Sequence, residues 1–222
     1  MTPAGRRLPF ADRREAGRAL AADLAFLRDA PGLLVLALPR GGVPVAWEVA
    51  RALQAPLDVF VVRKIGMPGH PEYALGAIAS GGLQVLDSLP AGAAQRARVE
   101  AVIREETAEL ARRERAYRGG RPPLEVAGRT VVLVDDGVAT GASLEVAARA
   151  VRQLAPRELV VAAPLASAAA ARRLAPWADR AVFSATPEPF DAVSRFYREF
   201  PQCEDDEVRA LLAEAPRPAP RP

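Results

Sequence analysis

The chain has 222 residues, of which 50% are hydrophobic and 26% are charged, and its formal net charge at pH 7 is +3. This balance is typical of a globular protein with a sizeable core, and so small a charge does not favour a nucleic-acid-binding protein. A single cysteine, Cys203, excludes an internal disulfide framework, so we expect a cytoplasmic setting. The N-terminal residues lack the apolar core of a signal peptide, and no apolar stretch reaches the length of a membrane span, so we expect no membrane association.

Helices and strands alternate over the first sixty residues. Apolar residues at helical spacing predict a helix over 11–29, and short apolar runs predict strands over 33–38 and 57–62, with a helix over 43–53 between them. The alternation predicts a mainly parallel sheet with helical crossovers. Two glycines and two prolines fall within residues 63–72, so we expect an irregular loop there.

The middle of the chain predicts a hairpin and a long helix. The runs 73–79 and 83–86 are joined by Ser80-Gly81-Gly82, which is typical of a hairpin. Residues 91–118 are dense in Arg and Glu, with a sparse apolar face, and predict a long solvated helix.

The second half of the chain returns to alternating elements. We expect helices over 142–154 and 167–175 and strands over 158–163 and 180–184. An aromatic-rich segment and a short helix over 204–213 follow, and the Pro- and Arg-rich residues 214–222 are expected to form an extended tail.

The stretch from residue 131 to residue 143 reads Val-Val-Leu-Val-Asp-Asp-Gly-Val-Ala-Thr-Gly-Ala-Ser and predicts a buried strand, a tight loop and the start of a helix. Successive backbone N–H groups at a helix start form an anion cradle. Asp135 and Asp136, at the carboxyl end of a parallel strand, can accept hydrogen bonds from vicinal hydroxyls. Together these groups describe a site for a ribose 5-phosphate. An ordinary strand-to-helix turn with a solvated acidic pair is the alternative interpretation.

The whole stretch resembles the binding motif for phosphoribosyl pyrophosphate (PRPP) in type I phosphoribosyltransferases: a hydrophobic strand, two acids, two variable residues, a small residue and then Thr-Gly. The resemblance implies an α/β fold with an open, mainly parallel twisted sheet flanked by helices, an inserted hairpin and long helix, and a small C-terminal hood. It therefore implies one domain over 1–213, with a core at about 30–185 and the hood at about 186–213.

The resemblance also implies roles for individual residues, with Asp135 and Asp136 holding the ribose hydroxyls. The loop that binds the 5-phosphate would comprise Gly137, Ala139, Thr140, Gly141, Ala142 and Ser143. The loop after the first strand would present Arg40, Gly41 and Gly42 to pyrophosphate, and Lys64 would contact pyrophosphate as well. A turn forced by Pro39 and its glycines is the alternative for the first of these loops.

Specificity is less well defined by the motif. Ala139 stands where the 6-oxopurine enzymes carry an acid, so the motif is closer to the adenine and orotate enzymes. The proton acceptor stays open, with Glu72 and His70 in the expected loop 63–72 as candidates. Phe190, in the aromatic segment, is a candidate for stacking on a base. The leaving pyrophosphate requires a hard cation, so we expect Mg²⁺, held mostly by PRPP oxygens, with Asp135 and Asp136 acting through water.

The sequence therefore predicts a Mg²⁺-dependent phosphoribosyltransferase that joins PRPP to a nucleobase-like nitrogen acceptor and releases pyrophosphate, as in purine or pyrimidine salvage. A homo-oligomer, most simply a dimer, is the expected assembly. Two alternatives stay open. One is a PRPP- or nucleotide-sensing regulator on the same fold, and the other is a ribose-phosphate-binding hydrolase or phosphorylase.

Overall fold

The computed structural model describes residues 7–87 and 92–215, so most of the expected tail lies outside the described residues. The described residues form eight strands: β1 Leu34–Ala37, β2 Leu57–Val59, β3 Val62–Met67, β4 His70–Ala79, β5 Leu83–Leu86, β6 Thr130–Val134, β7 Glu158–Leu165 and β8 Arg180–Ala185. They also form six α-helices: α1 Arg13–Asp23, α2 Gly42–Leu53, α3 Ala93–Arg118, α4 Ala142–Gln153, α5 Ala168–Leu174 and α6 Asp205–Glu214.

Five strands form the main sheet in the order β2-β1-β6-β7-β8, and every neighbouring pair is parallel. The chain is therefore an α/β protein with an open parallel sheet flanked by helices, as the alternation of elements predicts. Strands β3, β4 and β5 form a separate antiparallel sheet, which contains the predicted hairpin.

Both faces of the main sheet are covered, which explains why its strands read as unbroken apolar runs. In β6, Val132 and Val134 join a core that includes residues of α2, α3 and α6. Val131 and Leu133 point to the other face, where they join a core that includes residues of α4 and α5. β6 is therefore packed on both faces up to its last residue, Val134.

The predicted loop at 63–72 is wrong, because these residues enter strands β3 and β4 and Pro68-Gly69 form the turn between them. The ladder shifts register from Met67↔His70 to Gly66↔Ala74, so residues 71–73 form an irregularity that accommodates Pro71. The predicted strand 57–62 is likewise divided, because the chain leaves the main sheet after Val59. Lys64 thus lies inside the second sheet and not at the end of a main-sheet strand.

The segment after β8 folds back toward the N-terminal helix. Phe10 and Tyr197 form a β-bridge, and their rings lie 6.0 Å apart. Tyr197 and Phe200 stack with ring centroids 4.8 Å apart. We keep the name hood for the predicted segment, about residues 186–213, and this contact brings its first part beside α1. Within the described residues, no helix is both long and apolar enough to cross a membrane.

Candidate functional site

The two acids follow directly from the last residue of β6. The backbone N–H of Asp135 donates to the Ala162 carbonyl at 3.2 Å, which continues the pairing with β7 by one residue. The backbone N–H of Asp136 donates to Asp135 Oδ1 at 2.9 Å. Burial raises the pKa of Asp135 well above its ordinary value, and repulsion from Asp136 adds to the effect. Burial also raises the pKa of Asp136, although a hydrogen bond from Arg13 opposes the shift.

The loop at 39–42 packs directly against these acids. The Leu38 N–H donates to the Val134 carbonyl at 2.8 Å, and the peptide bond between Pro39 and Arg40 is cis. A methyl group added at Gly41 would lie 2.7 Å from Asp136 Cγ. One at Gly42 would lie 2.8 Å from the Val134 carbonyl oxygen. Both positions require glycine, because a side chain there would collide with the end of β6 or with the acids. The loop at 39–42 therefore packs against the loop at 135–143, so the structure brings two of the three predicted loops together.

The rest of the loop at 135–143 leads from the acids into α4. The Val138 N–H donates to the Leu165 carbonyl at 2.8 Å, and Ser167 Oγ donates to the Ala139 carbonyl at 2.7 Å, so β7 and the turn after it fix the loop from behind. Gly141 takes the left-handed conformation, with φ of +78°, immediately before the helix begins. Ala139, Thr140 and Ser143 are exposed. The start of α4 therefore lies at an accessible rim, where the Ala142 N–H donates to Thr140 Oγ1 at 3.4 Å. Helix N-termini exposed in this way bind phosphate in other proteins.

Arg13, which the sequence interpretation missed, forms an ion pair with Asp136, the second of the two acids. Its Nε donates to Asp136 Oδ2 at 2.8 Å, and the two side chains are only 12% and 15% exposed. Tyr197, also missed, donates its hydroxyl to the Asp136 backbone carbonyl at 2.6 Å. Burial strongly raises the pKa of Tyr197, which keeps the phenol protonated as a donor. Nothing local in the sequence signals either residue, since Arg13 is 123 positions from Asp136.

Arg40 belongs to the glycine loop at 39–42, and its side chain reaches the start of α6. Its Nη1 is 3.7 Å from Glu204 Oε2 and 3.8 Å from Asp205 Oδ1. Tyr117 of α3 donates its hydroxyl to the same Asp205 oxygen at 2.8 Å. The guanidinium therefore pairs with carboxylates at the start of α6, and an incoming anion would compete with them for it.

The candidate residues at 63–72 belong to the second sheet and not to the loops that carry the acids. Lys64 is exposed and its backbone pairs with Ala77, while its neighbour Arg63 forms an ion pair with Glu106 of α3 at 2.6 Å. His70 is exposed near the hairpin turn and its ring contacts that of Tyr73, 6.1 Å away. The backbone of Glu72 lies in β4, and its side chain is outside the described part of the structure.

The hood contacts the loop at 135–143 through Val193. Phe190 is partly buried and its ring lies 5.0 Å from that of Phe196, so it packs within the hood. A methyl group added at Gly137 would collide with the Val193 side chain. Val193 therefore closes over the residue that follows the acids, a contact that the sequence did not predict.

The acids offer hard oxygen donors but few of them. Among the residues that the structure describes, no group of three or more His, Cys, Asp and Glu side chains could hold a metal ion by itself. Asp135 and Asp136 supply two adjacent carboxylates, which fit a hard divalent cation that takes most of its ligands from a bound phosphate compound and from water.

A cavity of about 650 Å³ lies elsewhere, near the start of β1 and the chain leading to β6. Tyr117, Arg118, Arg121 and Leu212 are among its lining residues, and none of the acids or loop glycines described above lines it. Its two inner arginines are already engaged with Asp58, a buried acid of β2, at 3.1 Å and 3.6 Å. The chemistry of the acids therefore belongs to the open rim and not to this cavity.

Comparison with known proteins gives consistent results. A family model for the phosphoribosyl transferase domain matches residues 14–192. Two provisionally named phosphoribosyl transferases of Mycobacterium tuberculosis, from strains H37Rv and CDC 1551, are each 47% identical over 210 residues, or 94% of this chain. The chain spans about half the length of these relatives, 47%. The crystal structure of TT1426 from Thermus thermophilus is 46% identical, with a TM-score of 0.82 over 94% of this chain and 99% of that one.

Proposed function

The chain belongs to the phosphoribosyl transferase family, and on this premise we propose that it transfers the 5-phosphoribosyl group of PRPP to a nucleobase-like nitrogen acceptor and releases pyrophosphate. The observation that carries the proposal is the contact between the glycine loop at 39–42 and the acids that open the loop at 135–143. One ligand that presents a diol between two phosphate groups matches this arrangement.

The ribose and its 5-phosphate are assigned to the loop after β6. Asp135 and Asp136 accept hydrogen bonds from the ribose hydroxyls. The 5-phosphate is held by the amides at the start of α4 and by the hydroxyls of Thr140 and Ser143, whose exposure supports this role. Gly137, Ala139, Gly141 and Ala142 shape the loop so that its backbone can approach the phosphate.

The pyrophosphate is assigned to Arg40, Gly41 and Gly42, with Lys64 reaching it from the second sheet. Arg40 would exchange its contacts with Glu204 and Asp205 for pyrophosphate oxygens. Neutralising the leaving group is the main electrostatic task, because cleavage at the anomeric carbon places negative charge on the departing pyrophosphate and leaves positive, oxocarbenium-like charge on the sugar.

Mg²⁺ is the cation that we propose for this reaction. When bound with PRPP it would supply positive charge to the pyrophosphate oxygens. Asp135 and Asp136 would meet it through water. Burial raises the pKa values of both acids, so a positive charge beside them would favour their ionised forms.

We assign the binding of the acceptor to the hood and to the β3–β4 hairpin. Phe190 is proposed to contact a base, although its present partner is Phe196. Ala139 supplies no acid to the acceptor, so we assign the proton released on bond formation to His70 or Glu72 of the β3–β4 hairpin, which would approach the acceptor during turnover.

A pyrophosphate-release assay tests the proposed reaction. Wild-type protein is incubated with PRPP, Mg²⁺ and, in turn, adenine, hypoxanthine, guanine, xanthine, uracil and orotate. We expect release with at least one acceptor and none when Asp135 and Asp136 are both changed to Asn. PRPP binding without release in any reaction would instead favour the PRPP-sensing alternative, and absence of PRPP binding would refute both.

A further inference from the structure

Arg13 contacts one of the two acids, and the proposed reaction gives this residue no role so far. It is the first residue of α1, and its Nε donates to Asp136 Oδ2 at 2.8 Å. Because both side chains are more than four-fifths buried, the charge-assisted hydrogen bond is shielded from water and fixes the carboxylate in direction. With Oδ2 held in this way, the direction of Oδ1 is fixed as well.

The guanidinium is itself fixed from two further sides. Arg13 Nη1 donates to the Pro201 carbonyl at 2.7 Å, and its Cζ lies 3.7 Å above the centroid of the Phe200 ring. The ring of Phe200 stacks in turn on Tyr197, whose hydroxyl donates to the Asp136 carbonyl. The hood therefore holds the backbone of Asp136 through Tyr197 and its side chain through Arg13.

We propose that Arg13 is a positioning residue for phosphoribosyl transfer, which aims the Asp136 carboxylate at the ribose hydroxyls and links the hood to the PRPP site. This inference rests on the proposed function. Arg13 acts through Asp136 and does not touch the substrate. An acid that is already oriented loses little side-chain freedom when it binds a hydroxyl, so removing Arg13 should weaken the binding of PRPP.

Arg14 offers a matched control one residue along the same helix. Its guanidinium lies 3.7 Å from Glu48 and 4.8 Å from the centroid of the Trp47 ring, both on α2. Arg14→Gln therefore removes the same charge from the same turn without touching Asp136. Arg13→Lys retains a charge but not the planar, multi-point geometry, so it should rescue binding only in part.

The experiment measures PRPP affinity by calorimetry in the presence of Mg²⁺ for wild type, Arg13→Gln, Arg13→Lys and Arg14→Gln. We expect Arg13→Gln to raise the Kd by about tenfold or more, Arg13→Lys to raise it by a smaller factor, and Arg14→Gln to leave it within about twofold. In turnover, Arg13→Gln should raise the KM for PRPP more than it lowers kcat. An unchanged or tighter Kd in folded Arg13→Gln overturns the proposal, as does a purely thermal defect. If Arg13→Gln does not fold, Arg13→Lys decides by the same criterion.

Ligand-free crystal structures separate this proposal from the proposed function. The Asp136 side chain should change its orientation in Arg13→Gln and keep it in Arg14→Gln. If the orientation is the same in both, Arg13 does not position the acid and the inference falls, whatever the protein binds. If the orientation changes but wild type does not bind PRPP, the proposed function falls and takes with it the role of Arg13 in transfer.

Discussion

Gly41→Ala is the substitution whose effect follows most directly from the geometry of the site. Gly41 has φ of −59° and ψ of −32°, which alanine adopts readily, so the effect is steric alone. The new methyl group would lie 2.7 Å from Asp136 Cγ, whereas carbon atoms in contact are about 3.5 to 4.0 Å apart. One side of this contact must move by about 1 Å, and Asp136 is held in place by Arg13 and Tyr197.

Overpacking of this kind costs about 1 to 3 kcal/mol. In a chain of this length, 1 kcal/mol lowers the Tm by about 2 to 4 °C, so we expect a fall of about 2 to 12 °C by calorimetry. Because Asp136 or the glycine loop must move, PRPP affinity should fall by about tenfold or more, which corresponds to about 1.4 kcal/mol.

Gly120→Ala is the control for this substitution. A methyl group at Gly120 meets nothing within 4 Å, so we expect the Tm and the PRPP affinity of the wild type. If Gly41→Ala behaved like Gly120→Ala in both measurements, the close packing of the two loops would be refuted as the basis of the site.

The remaining predictions concern residues of different exposure. Lys64→Ala should weaken PRPP binding at constant Tm, because Lys64 is exposed, and equal Kd values by calorimetry would remove it from the site. Burial raises the pKa of Cys203 to about 12, so the thiol should react with iodoacetamide at pH 8 only after unfolding, and rapid labelling of native protein would contradict its burial. Burial raises the pKa of Asp135, so the folded state binds more protons than the unfolded state and the free energy of unfolding should fall as pH rises above about 4. Asp135→Asn should flatten this pH dependence in urea titrations. An unaltered pH dependence would show that groups other than Asp135 cause it.

The strand, loop and helix around the acids could be predicted because their signals are local. The apolar run of β6, the paired acids and the Thr140-Gly141 step all lie within 14 residues, from Thr130 to Ser143. Each choice there agrees with the next: a strand that is buried on both faces ends in polar residues, and a glycine precedes the helix. The resemblance to a known motif added the ligand, and the family match agrees with that resemblance.

The hairpin at 62–79 could not be predicted by counting its glycines and prolines. Both kinds of residue disfavour a regular strand, but a register shift removes the backbone N–H demand at Pro71, and Pro68-Gly69 serve as a turn. Such an irregularity depends on what the partner strand offers, which the local sequence does not state.

The supports of Asp136 were also beyond local reasoning. Arg13 and Tyr197 lie 123 and 61 positions from it, and the contact between Gly137 and Val193 is likewise made only when the hood folds back. In the sequence Arg13 is one of several arginines in an amphipathic helix, with nothing to separate it from Arg14. Only the fold determines which of the two faces the site.

The central claim is that the loops at 39–42 and 135–143 form one site for PRPP. A crystal structure of the wild-type protein with PRPP and Mg²⁺ tests it most directly. We expect the 5-phosphate against the amides of residues 139–143, the ribose hydroxyls on Asp135 and Asp136, and the pyrophosphate beside Gly41 and Gly42. PRPP bound elsewhere, with both loops unchanged and without ligand, would contradict it.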